Sequence, residues 1–529
     1  MGSSLRTFHL LAPASGTEGP THIRPLGVYT LVLLLACTRA PAVEAPIPVA
    51  QSEADRAAAT ITAQDLYDRI SYLASDSLRG RNTPSPGLEL AAAYIADQFR
   101  TFGLRPAGDS NTFIQRWPYS QTRIDITQTS LQLTVGDTTF RPALGSDYFV
   151  IPAREPTVTG ALRWGGVAEV ASGSAAAAGQ IPIVYVPGAI PDSAWNVRFS
   201  AAFSRGLRAG APAVVFVLAP AFDEALFAQF ASQVGGDEAS LFVIGMRFGA
   251  AAPILARAGV DTAALRAAEP PAARSLDGTQ LSLAIGRATQ DSRPPNVAAI
   301  LAGSDPELRE EFIVFSAHMD HIGVGRPDAT GDSIFNGADD DASGTAVVLE
   351  VAQAFASLRS RPARSILFLA VSGEEKGLLG SAWFTKHLPV PAGNIVANIN
   401  LDMLGRNAPD TLVAIGQDYS SLGPLVQSVA LAHPSLGLVV APDLWPEEQL
   451  FFRSDHFNFA KIGVPALYFT TGLHPQYHQP SDEADLIDRD KIERVARLVY
   501  RFAYEVAMEA ERPTWTAKGQ REVGAMTIR

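Results

Sequence analysis

His318-Met319-Asp320, Asp339-Asp340-Asp341, Glu374-Glu375, Asp402 and His478 are the positions in this sequence whose side chains could hold a metal ion and move a proton. Imidazole and carboxylate together make a donor set that suits zinc, with cobalt or manganese as substitutes. Each cluster alone is ordinary. Acids ahead of a helix favour its dipole, adjacent glutamates commonly decorate surfaces, and a single histidine is more often a plain polar residue than a ligand. Their placement sets them apart. The apolar runs 312–317, 366–371 and 395–401 read as strands, and they lead directly into His318, into Ser372-Gly373-Glu374-Glu375 and into Asp402. Open α/β sheets gather ligands at the carboxyl ends of their strands. Unpaired carboxylates buried there are costly, and a dication compensates them.

The elements that must position these residues alternate between strand and helix from about 275 to 511. Strands are expected at 312–317, 366–371, 395–401, 411–415 and 464–469, and helices at 342–358, 420–432 and 492–506. This is the pattern of a mostly parallel sheet covered by helices on both faces. Upstream, Thr62 caps an amphipathic helix carrying Leu66, Ile70 and Leu73. A second helix is expected over 87–102, with Gly103 at its C-terminal end, and 77–81 reads as a loop between the two. Residues 141–274 have a different character. They are rich in Ala, Gly and Val, lack histidine, and contain short apolar strands at 181–186 and 213–217 with a helix-like stretch at 201–209. The stretch after Arg512 shows no periodicity and reads as a tail, 512–529.

Bulk composition sets the frame. The 529 residues are 47% hydrophobic and 18% charged, enough for a large core and too many for one simple domain. The net charge of −12 is unrelieved by any Lys/Arg run, which speaks against nucleic acid as a partner. In residues 1–45, Arg6 and Arg24 precede an apolar run at 26–36 that is too short to span a bilayer comfortably. That segment is expected to be a secretory signal. Leu34-Leu35-Ala36-Cys37 resembles a lipobox, so the expected location is periplasmic, outer-membrane-anchored or secreted. Membrane contact would come only through a lipid on Cys37, the sole cysteine.

Five ordered motifs resemble peptidase family M28, the co-catalytic zinc exopeptidases. They read Ser316-Ala317-His318-Met319-Asp320-His321, Gly337-Ala338-Asp339-Asp340-Asp341-Ala342-Ser343-Gly344, Ser372-Gly373-Glu374-Glu375, Asn400-Leu401-Asp402-Met403 and Tyr477-His478-Gln479-Pro480-Ser481-Asp482. The resemblance implies an αβα sandwich around a mixed, mostly parallel sheet. It assigns 56–140 and 275–511 to the peptidase domain and 141–274 to an inserted protease-associated αβ domain. It implies two zinc ions, one held by His318 and Asp402, the other by Glu375 and His478, with Asp340 bridging. Glu374 becomes the general base, and Asp320 orients His318. Tyr477 is either a donor to the developing oxyanion or a packing residue, and Ser454-Asp455-His456 matches a further motif with a structural or site role. A cis peptide is expected at Asp340–Asp341. The implied activity is cleavage of the N-terminal bond of peptides. Three alternatives stay open: a carboxypeptidase with Arg453 gripping the substrate carboxylate, a glutaminyl cyclase-like acyltransferase, and a non-catalytic binding relative.

Overall fold

The computed structural model describes residues 52–527 apart from 152, 154, 168–178, 189–209, 225–226, 228–240, 267–271 and 326. The leader, Cys37 and the helix-like stretch 201–209 lie outside the described residues.

The main sheet has nine strands. In order they are Arg105–Pro106, Pro295–Leu301, Ser365–Val371, Phe312–His318, Ile395–Leu401, Ala466–Thr470, Thr411–Ile415 and Val439–Ala441, with Ile114–Arg116 also pairing on Pro295–Leu301. The four central strands, Ser365–Val371 through Ala466–Thr470, are mutually parallel, and their flanking neighbours run antiparallel to them. All four are buried along their whole length, as largely apolar strands require when both faces of a sheet are covered. Helices Gly344–Ser357 and Arg489–Met508 pack with the N-terminal helices in one core; Phe384, Phe459 and Val464 fill a second on the other face. The register sets His318 opposite Val371 and Leu401 opposite Phe469, so the chain leaves all of these strands at one edge.

Two further sheets lie in residues 119–292. A six-stranded sheet runs Arg274–Ser275, Leu162–Val167, Ile181–Val186, Ala213–Leu218, Phe242–Arg247, Tyr148–Ile151. A four-stranded sheet pairs the long strands Tyr119–Val135 and Thr279–Ser292. These strands bring the chain out of the peptidase-like part and back to it.

Element ends differ from the sequence reading for local reasons. The strand expected at 464–469 is Ala466–Thr470, because Pro465 has no N–H for the ladder. The helix expected from 342 begins at Gly344, since Ala338–Ser343 forms a wider turn. Thr62 accepts from Asp65 N as the cap of Ala63–Leu73, and Gly103 takes a φ of 72° after Pro86–Thr101. Two stretches are more ordered than periodicity suggests. Ala517–Thr527 is a helix with Val523 buried, and Trp515 Nε1 donates to Gly463 O at 2.8 Å. Residues 76–81 make tight turns in which Arg79, Gly80 and Arg81 all have positive φ, and Arg81 is fully buried.

Candidate active site

The edge at which the central strands end carries every ligand candidate. His318 is the last residue of its strand, Asp402 directly follows Ile395–Leu401, and Glu374 and Glu375 stand three and four residues beyond Val371. Asp340 comes from the turn ahead of helix Gly344–Ser357, and His478 from the loop after Ala466–Thr470.

The side chains converge on Asp340. One of its oxygens, Oδ1, lies 3.2 Å from His318 Nε2, which is 3.6 Å from Asp402 Oδ1. The other, Oδ2, lies 3.2 Å from His478 Nε2, which is 3.3 Å from Glu375 Oε2. Two donor groups therefore share one carboxylate. Ligands about 2.0–2.1 Å from a common tetrahedral ion stand roughly 3.3 Å apart, so the residues present fit a pair of such ions. A second observation agrees: Asp340 Oδ2 and Glu375 Oε1 are buried without a hydrogen-bond partner, a costly arrangement unless a cation completes it.

Charge follows the same geometry. Burial opposes ionisation of Asp340, but the imidazoles of His321, His318 and His478 outweigh it and hold that carboxyl well below its usual range. Burial and Asp340 push Glu375 up, while His321 and His478 pull harder and bring it down to about 2. Burial lowers His478, yet the adjacent carboxylates of Asp340 and Glu375 raise it to about 10. Glu374 behaves oppositely. Burial, reinforced by Asp455, Asp402 and Glu375 against the pull of His318, drives its carboxyl well above the ordinary value.

The three successive acids divide their work. Asp341 accepts from His318 N, Gly344 N and Met403 N at 3.1, 2.9 and 3.2 Å. It thereby ties the ends of two strands to the start of the helix. Asp339 accepts from Gly405 N at 2.6 Å, and its other oxygen lies 3.4 Å from His474 Nε2. The Asp340–Asp341 peptide is cis, as expected. Gly337, with a φ of 58°, begins the turn; a Cβ there would stand 2.2 Å from Asp340 O and 2.5 Å from the His321 ring. Asp482 closes the assembly, accepting from Asp339 N and Asp340 N at 3.0 and 3.1 Å. Burial and Asp339 push it up to about 6.

Other residues singled out in the sequence fall as follows. His318 Nδ1 contacts the main-chain carbonyl of Asp320 at 3.1 Å, whereas the Asp320 carboxylate is 3.7 Å away. Orientation of His318 thus comes from the backbone of Asp320, because its carboxylate is turned toward Thr83, Gly373 and Glu374. Ser454 Oγ donates to Asp402 Oδ2 at 2.8 Å and accepts from Asn400 Nδ2. His456 is buried against Tyr468 and Phe451. Tyr477 is half-buried with its ring stacked on His478, centroids 3.8 Å apart. Arg453 is largely exposed and paired with Glu448 at 3.0 Å, so its charge is already answered. Sequence reasoning gave no role to His321 or Arg81. His321 is fully buried, its Nδ1 2.8 Å from Glu375 Oε1 but off the hydrogen-bonding line. Its place inside the first motif was the available signal.

Residues 296–503 match the family model of Peptidase family M28. Over that segment the chain is similar to the M28 family. A probable leucine aminopeptidase of Arthroderma otae is 29% identical over 223 residues, 41% of this chain and 58% of the relative. Aminopeptidase YwaD of Bacillus subtilis is 30% identical over 205 residues, 36% and 42% of the two chains. The match thus spans 58% and 42% of the length of these two relatives. Among solved structures, an aminopeptidase from Aneurinibacillus sp. strain AM-1 superposes with a TM-score of 0.51 at 21% identity, covering 87% of this chain and 97% of that one. BSAP, a zinc aminopeptidase from Bacillus subtilis, gives 0.50 at 19%, covering 85% and 96%. At those identities the likeness concerns the fold: an α/β sandwich on a mixed sheet, as the M28 motifs implied.

Proposed function

We propose that this chain is a zinc-dependent aminopeptidase acting on peptides with a free N-terminus. The observation that carries this reading is the shared Asp340, one oxygen facing the His318–Asp402 group and the other facing the Glu375–His478 group. In this reading His318, Asp402 and Asp340 hold one zinc ion, and Glu375, His478 and Asp340 the other. Zinc bound there acidifies water and polarises a carbonyl. Glu374 stands next to a ligand with its own carboxylate free for proton work; it takes the proton from the attacking water and delivers it to the leaving amine. Ser454 and His321 steer the carboxylates of Asp402 and Glu375. Tyr477 holds the ring of His478 by stacking, which supports the packing role over the oxyanion role. The names of the relatives, leucine aminopeptidase and aminopeptidase, support the substrate class.

The deciding experiment measures zinc per chain and hydrolysis of aminoacyl-arylamides, free peptides and N-acetylated peptides, with and without chelator. Cleavage confined to free N-termini, lost on chelation and restored by zinc, is expected. Equal cleavage of blocked peptides, or indifference to chelator, would sink the reading. Cyclisation of an N-terminal glutamine peptide in the same panel would point to acyl transfer instead. We further propose export through the 1–45 leader, and that the six-stranded sheet forms a protease-associated unit restricting access to short peptides. Deleting residues 141–274 and comparing dipeptides with longer substrates tests the latter, and unchanged selectivity would refute it.

A further inference from the structure

Residues 81–83 lie more than two hundred positions upstream of the M28 segment, yet they reach into the scaffold of its site. Thr83 is fully buried. Its Oγ1 donates to Asp320 Oδ2 at 2.8 Å and accepts from Gly373 N at 3.1 Å. A hydroxyl can donate once and accept on its lone pairs, and here it does both. The proton of the hydroxyl is committed to Asp320, and its lone pair is left for the amide. Gly373 N also donates to Asp320 Oδ2 at 2.8 Å, and Glu374 N to Asp320 Oδ1 at 3.3 Å. One hydroxyl therefore joins the loop that follows His318 to the loop that carries Glu374 and Glu375.

Arg81 does the same work one turn away. Its guanidinium donates to the carbonyls of Met319, Asn336 and Gly337 at 2.8, 2.7 and 3.0 Å, and to that of Leu73. Three of these four carbonyls belong to the stretches that flank Asp320 and lead to Asp340. An ordinary buried polar residue satisfies itself on nearby backbone; these two spend nearly all their capacity on separate site loops far away in sequence. The clasp is itself anchored. Arg69, in the helix just before it, pairs with buried Glu350 at 2.6 Å and donates to Gln98 and Gln353.

We infer that Thr83, supported by Arg81, is a positioning residue: its hydroxyl sets the Glu374–Glu375 loop against the His318 loop and so fixes the distance between the proposed base and the proposed ligands. The inference rests on the proposed roles of those residues. It is tested on the full chain with Thr83→Val, which keeps the shape and removes the hydroxyl, and Thr83→Ser, which keeps the hydroxyl. Zinc affinity is measured by chelator competition, kcat and KM on an aminoacyl-arylamide, and melting on the metal-free protein. Thr83→Val should weaken zinc binding and lower kcat about tenfold each, the low end for residues behind a ligand shell, with KM nearly unchanged. Thr83→Ser should restore both. Wild-type zinc affinity in Thr83→Val, or equal damage in Thr83→Ser, overturns the inference. Should Thr83→Val not fold, Asp320→Asn carries the same expectation and the same refutation. Zinc affinity is read without any peptidase assay, so failure of the aminopeptidase reading would be seen separately.

Discussion

Replacing Glu374 by glutamine isolates the chemical step. The backbone of residue 374 is held by groups that the change does not touch: its N–H donates to Asp320 Oδ1 at 3.3 Å, and its carbonyl accepts from Gly377 N and Leu378 N at 2.8 and 2.9 Å. Glutamine has nearly the same shape, so the turn that aims Glu375 at His478 should persist, and with it the proposed zinc binding. Glutamine cannot accept the proton of the attacking water. Losing a positioned general acid–base group costs about 10²–10⁴ in rate, or about 2.7–5.5 kcal/mol on the barrier. The upper part of that range is expected, since the same carboxylate takes the proton and later gives it back. The assay is kcat on an aminoacyl-arylamide together with zinc per chain by elemental mass spectrometry, for Glu374→Gln beside Glu375→Gln. The first should keep zinc and lose turnover; the second should lose zinc. A Glu374→Gln protein turning over within tenfold of wild type at full zinc content refutes the base assignment, and one that loses zinc shows Glu374 to be a ligand instead.

Three further outcomes are expected. Gly337→Ala forces a Cβ to 2.2 Å from Asp340 O and 2.5 Å from the His321 ring at a φ of 58°; zinc affinity should fall at least about tenfold, and wild-type affinity by titration would contradict the role of this turn. Arg69→Met strips the partner from Glu350, whose side chain is 1% exposed, and should cost about 3–5 kcal/mol in denaturant unfolding; a loss below about 1 kcal/mol counts against the buried pair. Asp55 is lowered from 3.8 to about 2, chiefly by its bond from Arg501 and then by Ser52. A carboxylate with a depressed folded pKa stabilises the fold above its unfolded value and loses that contribution as pH falls through the folded one. Asp55→Asn should therefore melt below wild type at pH 7, with the deficit shrinking as pH falls from about 4 and vanishing only below about 2, and a deficit independent of pH would be the contrary result.

The parts of the fold that could be read beforehand were those set by burial on two faces. Phe312–His318 and Ile395–Leu401 are mostly apolar, interrupted before their ends only by Ser316, Asn398 and Asn400, and such runs favour a central strand, so their carboxyl ends and the residues waiting there were visible from spacing. Arg81 was not visible in this way. Its environment is made of carbonyls from Leu73, Met319, Asn336 and Gly337, groups that every residue carries and that leave no mark in side-chain pattern. The helix Ala517–Thr527 escaped notice for a related reason. It buries Val523 alone among its larger apolar side chains described, too little to make a stripe. Asp320 shows the intermediate case. Its proximity to His318 followed from the sequence, but which of its two acceptor groups meets the imidazole depended on Thr83, which no local pattern connects to it.

The aspartates 339, 340 and 341 show how one turn can hold three successive acids. Three adjacent carboxylates repel, and confining all three to one cavity would be unfavourable. The turn sends them in different directions. Asp341 is consumed by the neutral main-chain donors His318 N, Gly344 N and Met403 N, and one oxygen of Asp339 by Gly405 N. The other oxygen of Asp339 faces His474, and Asp340 faces His318 and His478, each of these two acids having one oxygen without a hydrogen-bond partner. The amide of Asp340 is held by Asp482 at 3.1 Å, so its direction is set by the backbone and not by whatever it binds. The backbone of the turn is thus held by protein groups, while Asp340 and Glu375 each keep an unpaired oxygen where the candidate ligands converge. A carboxylate held in that way has already lost its rotational freedom before a cation arrives, and the attraction of the cation is spent on binding instead of on ordering the loop.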